Sequence, residues 1–225
     1  QIKTTVCLNN QPVKIVGSHA GLYTGLDGAT HQMLEDIALM RVLPNMVVIA
    51  PGDSVEAEKA TLALAADSRP GYIRVVREAT PVITTAKTPF EIGKAYVLNE
   101  GTDITIVATG TMTYQALVAS EQLYKAGISA EVVHVPTIKP LDEKTIIASA
   151  KKTKHVITVE EAQVIGGLGG AVAELLGEQC PVLMHRMGMK DRFGETGKPD
   201  ELLDYFGLTA KHIVLQAHAT LDHTD

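Results

Sequence analysis

Short apolar runs alternate with amphipathic stretches along this chain, and that alternation constrains the fold more than any other feature. Strand-like runs fall near residues 13–17, 46–50, 72–76, 103–108, 130–135, 155–160 and 181–186. Helix-like stretches fall near 31–42, 53–67, 111–126, 142–151, 168–177 and 199–206. Strands that alternate with helices favour a mostly parallel sheet with helices on both faces. Hydrophobic residues make up 45% of the 225 residues, yet aromatics are only 4% and Trp is absent. The core is therefore mostly Val, Ile, Leu, Ala and Met, as expected for buried parallel strands. The fold class expected is α/β.

Local signals divide the chain. Pro44-Asn45 turns it, and Pro51-Gly52 stops the second run. Asp53 is placed to cap the next helix, with Glu56 three residues on in a variant of the capping box. Tyr114, Leu117, Val118 and Tyr124 share one helical face, and Gly127 suits the C′ stop. Residues 81–92 are rich in Pro and Thr and read as an extended, exposed linker. This gives a first α/β block over 1–80, a linker over 81–92 and a second block over 93–225. Three strands and two helices make the first block thin for a domain of its own.

A net charge of −6 and the lack of a long basic run argue against nucleic acid as a partner. No apolar run approaches the ~18 to 20 residues of a membrane span. Cys7 and Cys180 match no metal or redox spacing and read as free thiols in a reducing cytoplasm. Gln1-Ile2-Lys3-Thr4-Thr5 has no initiator Met and no signal-peptide design, so the chain is expected to be part of something longer.

The densest chemistry runs from Ser18 to Gln32, S-H-A-G-L-Y-T-G-L-D-G-A-T-H-Q, between a strand-like and a helix-like run. Functional loops often sit outside the carboxyl end of a strand in such folds. Arg77 follows a later run, Tyr72 to Val76. If those two strands are parallel neighbours, His19, Asp27, His31 and Arg77 converge at one sheet edge, and the set suits a polar, phosphorylated small molecule.

Each residue also has a plainer reading. His19 could cap a strand end, Asp27-Gly28 could be only a turn, Thr30 could cap a helix that begins at His31, and Arg77 could pair with Glu78 on the surface. Arg74 alternates to the other side of its strand and reads as structural. His134, His155, His185, His212, His218 and His223 are scattered, so no protein metal site is expected. The glycines at 166, 167, 169 and 170 lack dinucleotide-loop spacing and point to tight helix–sheet packing or an interface. Glu160-Glu161 reads as a solvated strand end or an interface.

The segment His19 to Asn45, with Asp-Gly-Ala-Thr-His-Gln, Leu-Glu-Asp and Arg-x-x-Pro-Asn, resembles the pyrimidine-binding domain of transketolases. The second block is similar to the transketolase C-terminal domain in D-I-T-I-V-A-T-G, in I-S-A-E-V-V-H-V-P-T-I-K-P-L-D and in V-E-E-A-Q-V-I-G-G-L-G-G. The resemblance implies the C-terminal part of a pyrimidine-binding α/β domain followed by a mostly parallel-sheet C-terminal domain. It is nearest to the C-terminal subunit of transketolases encoded as two polypeptides.

By that resemblance, His19 and Arg77 hold the sugar phosphate, through a planar guanidinium fork in the case of Arg. Asp27 accepts a hydrogen bond from the hydroxyl beside the acceptor carbonyl. His31 lies close to the reacting carbon and the cofactor, bonding substrate oxygens or moving protons. His19 and His31 are thus the catalytic candidates. The implied reaction moves a two-carbon ketol unit from a ketose phosphate to an aldose phosphate, with the hard chemistry supplied by thiamine diphosphate.

The departures from the family matter equally. The glutamate and aromatic residues that contact the cofactor's aminopyrimidine are not in this chain, nor is the motif that binds diphosphate and Mg²⁺. The chain is therefore expected to be inactive alone, to require an N-terminal subunit or segment and to form a homodimer. Two alternatives stay open. One is deoxyxylulose-phosphate synthase, against which Met33-Leu34-Glu35-Asp36 after the Gln argues. The other is a dimerisation module of this family that has lost activity.

Overall fold

The computed structural model describes residues 1–222; His223 and the two residues after it lie outside the described residues. After a π-helical turn, Ile2–Cys7, the chain forms β1 (Lys14–Gly17), a 3-10 segment (Leu22–Asp27), α1 (Asp36–Arg41), β2 (Val47–Ile49), α2 (Ser54–Ala66) and β3 (Gly71–Arg74). The second part runs β4 (Tyr96–Asn99), β5 (Ile104–Ala108), α3 (Met112–Lys125), β6 (Ala130–His134), β7 (Thr137–Lys139), α4 (Glu143–Thr153), β8 (His155–Gln163), α5 (Leu168–Gln179), β9 (Leu183–Met189), α6 (Pro199–Tyr205) and α7 (Ala210–Asp222). The α/β class holds, with two mostly parallel sheets.

The larger sheet has the order β4-β6-β5-β8-β9 and the smaller one β1-β3-β2-β7. Only β4 and β7 run antiparallel to their neighbours. Every residue of β2, β3, β5 and β6 is buried, as strands covered on both faces require. The smaller sheet explains why the first block looked thin. Its fourth strand, β7, comes from the second block: the chain leaves β6, crosses at Val135-Pro136 and pairs with β2 in the register Val48↔Lys139. Pro136 O also accepts the Ala50 N–H at 2.8 Å.

Capping follows the sequence with two differences. Asp53 accepts the Glu56 N–H at 2.8 Å and so caps α2. Glu56 does not complete the box on Asp53. Its Oε2 accepts the Gly52 N–H at 2.6 Å and lies 2.8 Å from His134 Nε2, a buried link from α2 to β6. The linker is irregular but not wholly exposed. Asp53 Oδ2 accepts the N–H groups of Ile83 and Thr84 at 2.7 and 2.6 Å, which buries Thr84.

The buried face of α3 also differs from the expected one. Met112, Ala116, Ala119 and Leu123 are fully buried, the expected Leu117 and Val118 are half-buried against the same cluster, and Tyr124 is 79% exposed. The two alanines let α7 approach, and Ile213 and Ala217 join the same apolar cluster. Gly127, at φ +85°, closes α3 as expected, with the Ile128 N–H bonded back to Leu123 O at 2.9 Å.

Candidate active site

Parallel pairing of β1 with β3 places Gly17 opposite Arg74. Each strand therefore releases its next residues at the same sheet edge. Two bonds carry the pairing past the strands: Val75 N–H to Gly17 O at 2.9 Å and Ala20 N–H to Val75 O at 3.2 Å. His19 and Arg77 leave the sheet side by side as a consequence, and both are exposed.

His19 has φ +59°, an uncommon backbone for a residue with a Cβ, and one that costs on the order of 1 kcal/mol or more. The Thr24 hydroxyl donates to His19 O and holds the turn. The imidazole Nδ1 lies 3.2 Å from Ser18 Oγ. Asp27 closes the 3-10 segment, and its Oδ2 accepts from Arg77 Nη1 at 2.8 Å. Arg77 Nε also lies 3.5 Å from Glu78 Oε1. Both carboxylates are partly exposed, and the other guanidinium N–H groups remain for a ligand.

His31 does not open a helix. Residues 31–35 form a loop, and α1 starts only at Asp36. The cause is tertiary: Met33 O accepts the Gly21 N–H at 2.9 Å and Leu34 O accepts the Gln163 N–H at 2.8 Å, so these carbonyls are taken before a helix can use them. His31 stays exposed, with Nδ1 at 2.9 Å from Thr30 Oγ1.

The loop rests on the second part of the chain. Glu161, at the bend in β8, accepts the Leu22 N–H at 3.0 Å on one oxygen and the Thr111 hydroxyl at 2.8 Å on the other. The Gln32 amide donates to Gly25 O at 3.1 Å and to Glu195 O at 2.9 Å. Two glycines let the chains meet. At Gly21, φ +74°, a Cβ would fall 2.6 Å from the Glu161 carboxylate, and at Gly28, φ +72°, it would fall 2.5 Å from Thr196 Oγ1.

Glu160-Glu161 is thus not a solvated strand end: both carboxylates are buried. Glu160 accepts the Leu168 and Gly169 N–H groups at 2.8 and 2.7 Å, at the start of α5. The glycine-rich segment therefore packs tightly, with no room for a nucleotide at Gly167, where a Cβ would fall 2.1 Å from Glu160 Oε2. Burial pushes the Glu160 carboxyl up to about 7, against the pull of those two N–H groups and of Arg74 and Arg186. Burial also raises Glu161, opposed by Arg74 and its hydrogen bonds.

Arg74 is buried, as its side of the strand implies, and lies 3.4 Å from Asp36. Burial pulls its guanidinium down, but Asp36 and Glu161 outweigh that and hold it above the ordinary value. Asp36 also accepts from the Tyr72 hydroxyl at 2.7 Å. Arg74 and Glu161 line an interdomain cavity of about 440 Å³, together with Asp53, Glu78, Thr109 and Thr111. His19, Asp27, His31 and Arg77 do not line that cavity, although Val76 and Glu78 on either side of Arg77 do.

The four residues singled out from the sequence are all exposed, and the residues that support them carried little signal. Gln32 stood in the motif without a role, and Glu161 carried only a doubled acid as a signal. No group of three or more His, Cys, Asp or Glu among the described residues could hold a metal ion. No helix among them is long and apolar enough to cross a membrane. Cys7 is buried and Cys180 half-buried, both as free thiols.

Residues 1–82 match the family of the transketolase pyrimidine-binding domain, and residues 93–213 match that of the transketolase C-terminal domain. The chain is 47% identical to a 6-deoxy-6-sulfo-D-fructose transketolase subunit of Clostridium sp. over 97% of its own length and 68% of that protein. It is also 47% identical to a transketolase C-terminal section of Methanocaldococcus jannaschii, over 94% of this chain and 67% of that one. Among solved structures, a split-gene transketolase in an inactive beta4 tetramer superposes with a TM-score of 0.92 at 42% identity, over 98% of this chain and 71% of that one.

Proposed function

The chain belongs to the transketolase family, and on that premise we propose that it carries the sugar-facing half of a ketol-transfer site. The observation that carries this reading is the shared edge of β1 and β3, past which His19 and Arg77 follow paired strands and Arg77 meets Asp27 at 2.8 Å.

Arg77 and His19 grip the anionic end of the sugar. Asp27 uses one oxygen to orient the guanidinium and offers the other to the hydroxyl beside the acceptor carbonyl. A charge-assisted fork of this kind recognises a tetrahedral oxyanion with defined geometry. His31, anchored through Nδ1 to Thr30, presents Nε2 to the substrate oxygen, where an imidazole gives or takes a proton. These positions fit a ketose phosphate donor and an aldose phosphate acceptor, as in pentose phosphate metabolism. A sulfonate fits the same fork, which agrees with the name of the Clostridium relative.

Thiamine diphosphate, when bound, supplies the nucleophilic carbon that accepts the two-carbon unit. His31 fits the reacting end of that cofactor. The described residues offer no cluster for a diphosphate-bound Mg²⁺, so we assign that end to an N-terminal subunit. The working enzyme, a soluble cytoplasmic assembly in this reading, pairs that subunit with a dimer of this chain. The domain limits proposed are 1–80 and 93–225, joined by 81–92.

The test is ketol transfer from xylulose 5-phosphate to ribose 5-phosphate, with thiamine diphosphate and Mg²⁺ present. The chain alone is expected to be silent and its stoichiometric complex with the N-terminal subunit active. A sulfofructose donor is assayed in parallel. A silent complex with every donor would overturn the reading and favour the synthase or a purely structural module.

A further inference from the structure

The four candidate residues are exposed and make few contacts of their own, yet the backbone between them is held at defined points. We propose that the second domain sets the geometry of the 19–32 loop through Gln32 and Glu161, which act as positioning residues. This rests on the ketol-transfer reading above.

The contacts fall where a positioning device needs them. Gln32 follows His31 directly. Its buried amide reaches Gly25 O, two residues before Asp27, and Glu195 O, on the segment between β9 and α6. One side chain therefore ties both ends of the Asp27–His31 turn to the second domain. Gly194 packs on that amide so closely that a Cβ there would fall 1.7 Å from Gln32 Oε1. Glu161 takes the Leu22 N–H, three residues after His19, while the Thr111 hydroxyl fixes its other oxygen at the start of α3. Thr196 rests against Gly28 between these two points.

All these partners, Thr111, Glu161, Glu195 and Thr196, come from the second domain, and none of them bears a group aimed at the substrate in this reading. Their effect is on placement. Misplacing a catalytic group by about 1 Å can cost about 100-fold in rate. A loop that bends at three positive-φ glycines, Gly21, Gly25 and Gly28, has little rigidity of its own, so its support must come from outside.

The test uses Gln32→Met, which keeps the volume and removes both N–H donors. In the complex with the N-terminal subunit, acceptor discrimination is read as the ratio of kcat/KM for ribose 5-phosphate to that for 2-deoxyribose 5-phosphate. Gln32→Met is expected to lower this ratio at least tenfold, and to lower it no further in an Asp27→Ala background, because Gln32 acts through Asp27. An unchanged ratio, or an equal further loss without Asp27, overturns the proposal.

A second readout needs no turnover. The imidazole C2–H resonances of His19 and His31 in the chain itself, assigned with His19→Ala and His31→Ala, are expected to move in Gln32→Met for His31 and in Glu161→Ala for His19. Glu161→Gln, which keeps a carbonyl oxygen for the Leu22 N–H, restores most of the His19 shift. Resonances that stay in place in both variants overturn the proposal. Moved resonances in a complex that never transfers a ketol unit overturn only the assigned function.

Discussion

Arg77 Nη1 lies 2.8 Å from Asp27 Oδ2, fifty residues apart in sequence. The pair forms because neighbouring parallel strands end together, and it is 42% and 39% exposed. An ion pair so open to water contributes little to stability, about 1 kcal/mol or less. Arg77→Ala is therefore expected to leave the unfolding free energy nearly unchanged. It should raise the KM for the sugar phosphate in the assembled enzyme roughly 10- to 100-fold, the range for losing a charge-assisted hydrogen bond. Denaturant titration and steady-state kinetics on the same preparation separate the two effects.

Gly28 tests the loop from the backbone side. Gly28→Ala introduces a Cβ at φ +72° and 2.5 Å from Thr196 Oγ1. With ψ −167° that backbone is essentially restricted to glycine and costs another residue about 1 to 3 kcal/mol. Thr196→Gly in the same chain removes the clash and leaves the backbone cost. The expected order of thermal midpoints is Thr196→Gly above the double variant, with Gly28→Ala lowest.

The buried trio below the site is a stability element. Asp36 takes the Tyr72 hydroxyl and faces Arg74, and all three are buried. Asp36→Ala leaves a buried guanidinium without its nearest counter-charge, which costs about 3 to 5 kcal/mol. Urea denaturation should show the loss as a lower midpoint. Asp36→Asn, which keeps the acceptor for Tyr72, should lose less.

Glu160 makes stability depend on pH. Its carboxyl is raised to about 7 in the fold by burial, against roughly 4.3 in an unfolded chain. The folded state therefore binds the extra proton between those values. Its contribution is full below pH ~4.3, is lost as pH rises towards 7, and stays constant above that. The stability advantage of the native chain over Glu160→Gln should shrink by up to about 3 kcal/mol between pH 5 and 8. A pH-independent difference would show that Glu160 is ionised throughout.

Much of this was legible in the residues. The alternation of runs located seven of the nine strands and six of the seven α-helices among the described residues, missing β4, β7 and α7, and the glycine and aspartate caps marked several of their ends. His19 and Arg77 could be placed together from strand adjacency alone. What escaped was non-local. The start of α1 moved from His31 to Asp36 because Gln163, far along the chain, binds Leu34 O. β7 is three residues long and pairs with the other domain's sheet, and no local pattern announces such a crossing. The exposed Tyr124 shows the limit of a helical-face argument: α3 buries its small residues because α7 packs there, and α7 itself was not foreseen. Glu160-Glu161 reads from sequence as a solvated strand end or an interface because acids are usually exposed; their partners are backbone N–H groups and the Thr111 hydroxyl of other elements, which leave no local trace in a sequence.

The most direct test of the account is a crystal structure of this chain, assembled with its N-terminal subunit and soaked with xylulose 5-phosphate. The phosphate is expected within hydrogen-bond distance of Arg77 and His19, with His31 beside the carbonyl end of the sugar. A sugar bound elsewhere, with Arg77 still closed on Asp27 and no ligand at the β1–β3 edge, would contradict it.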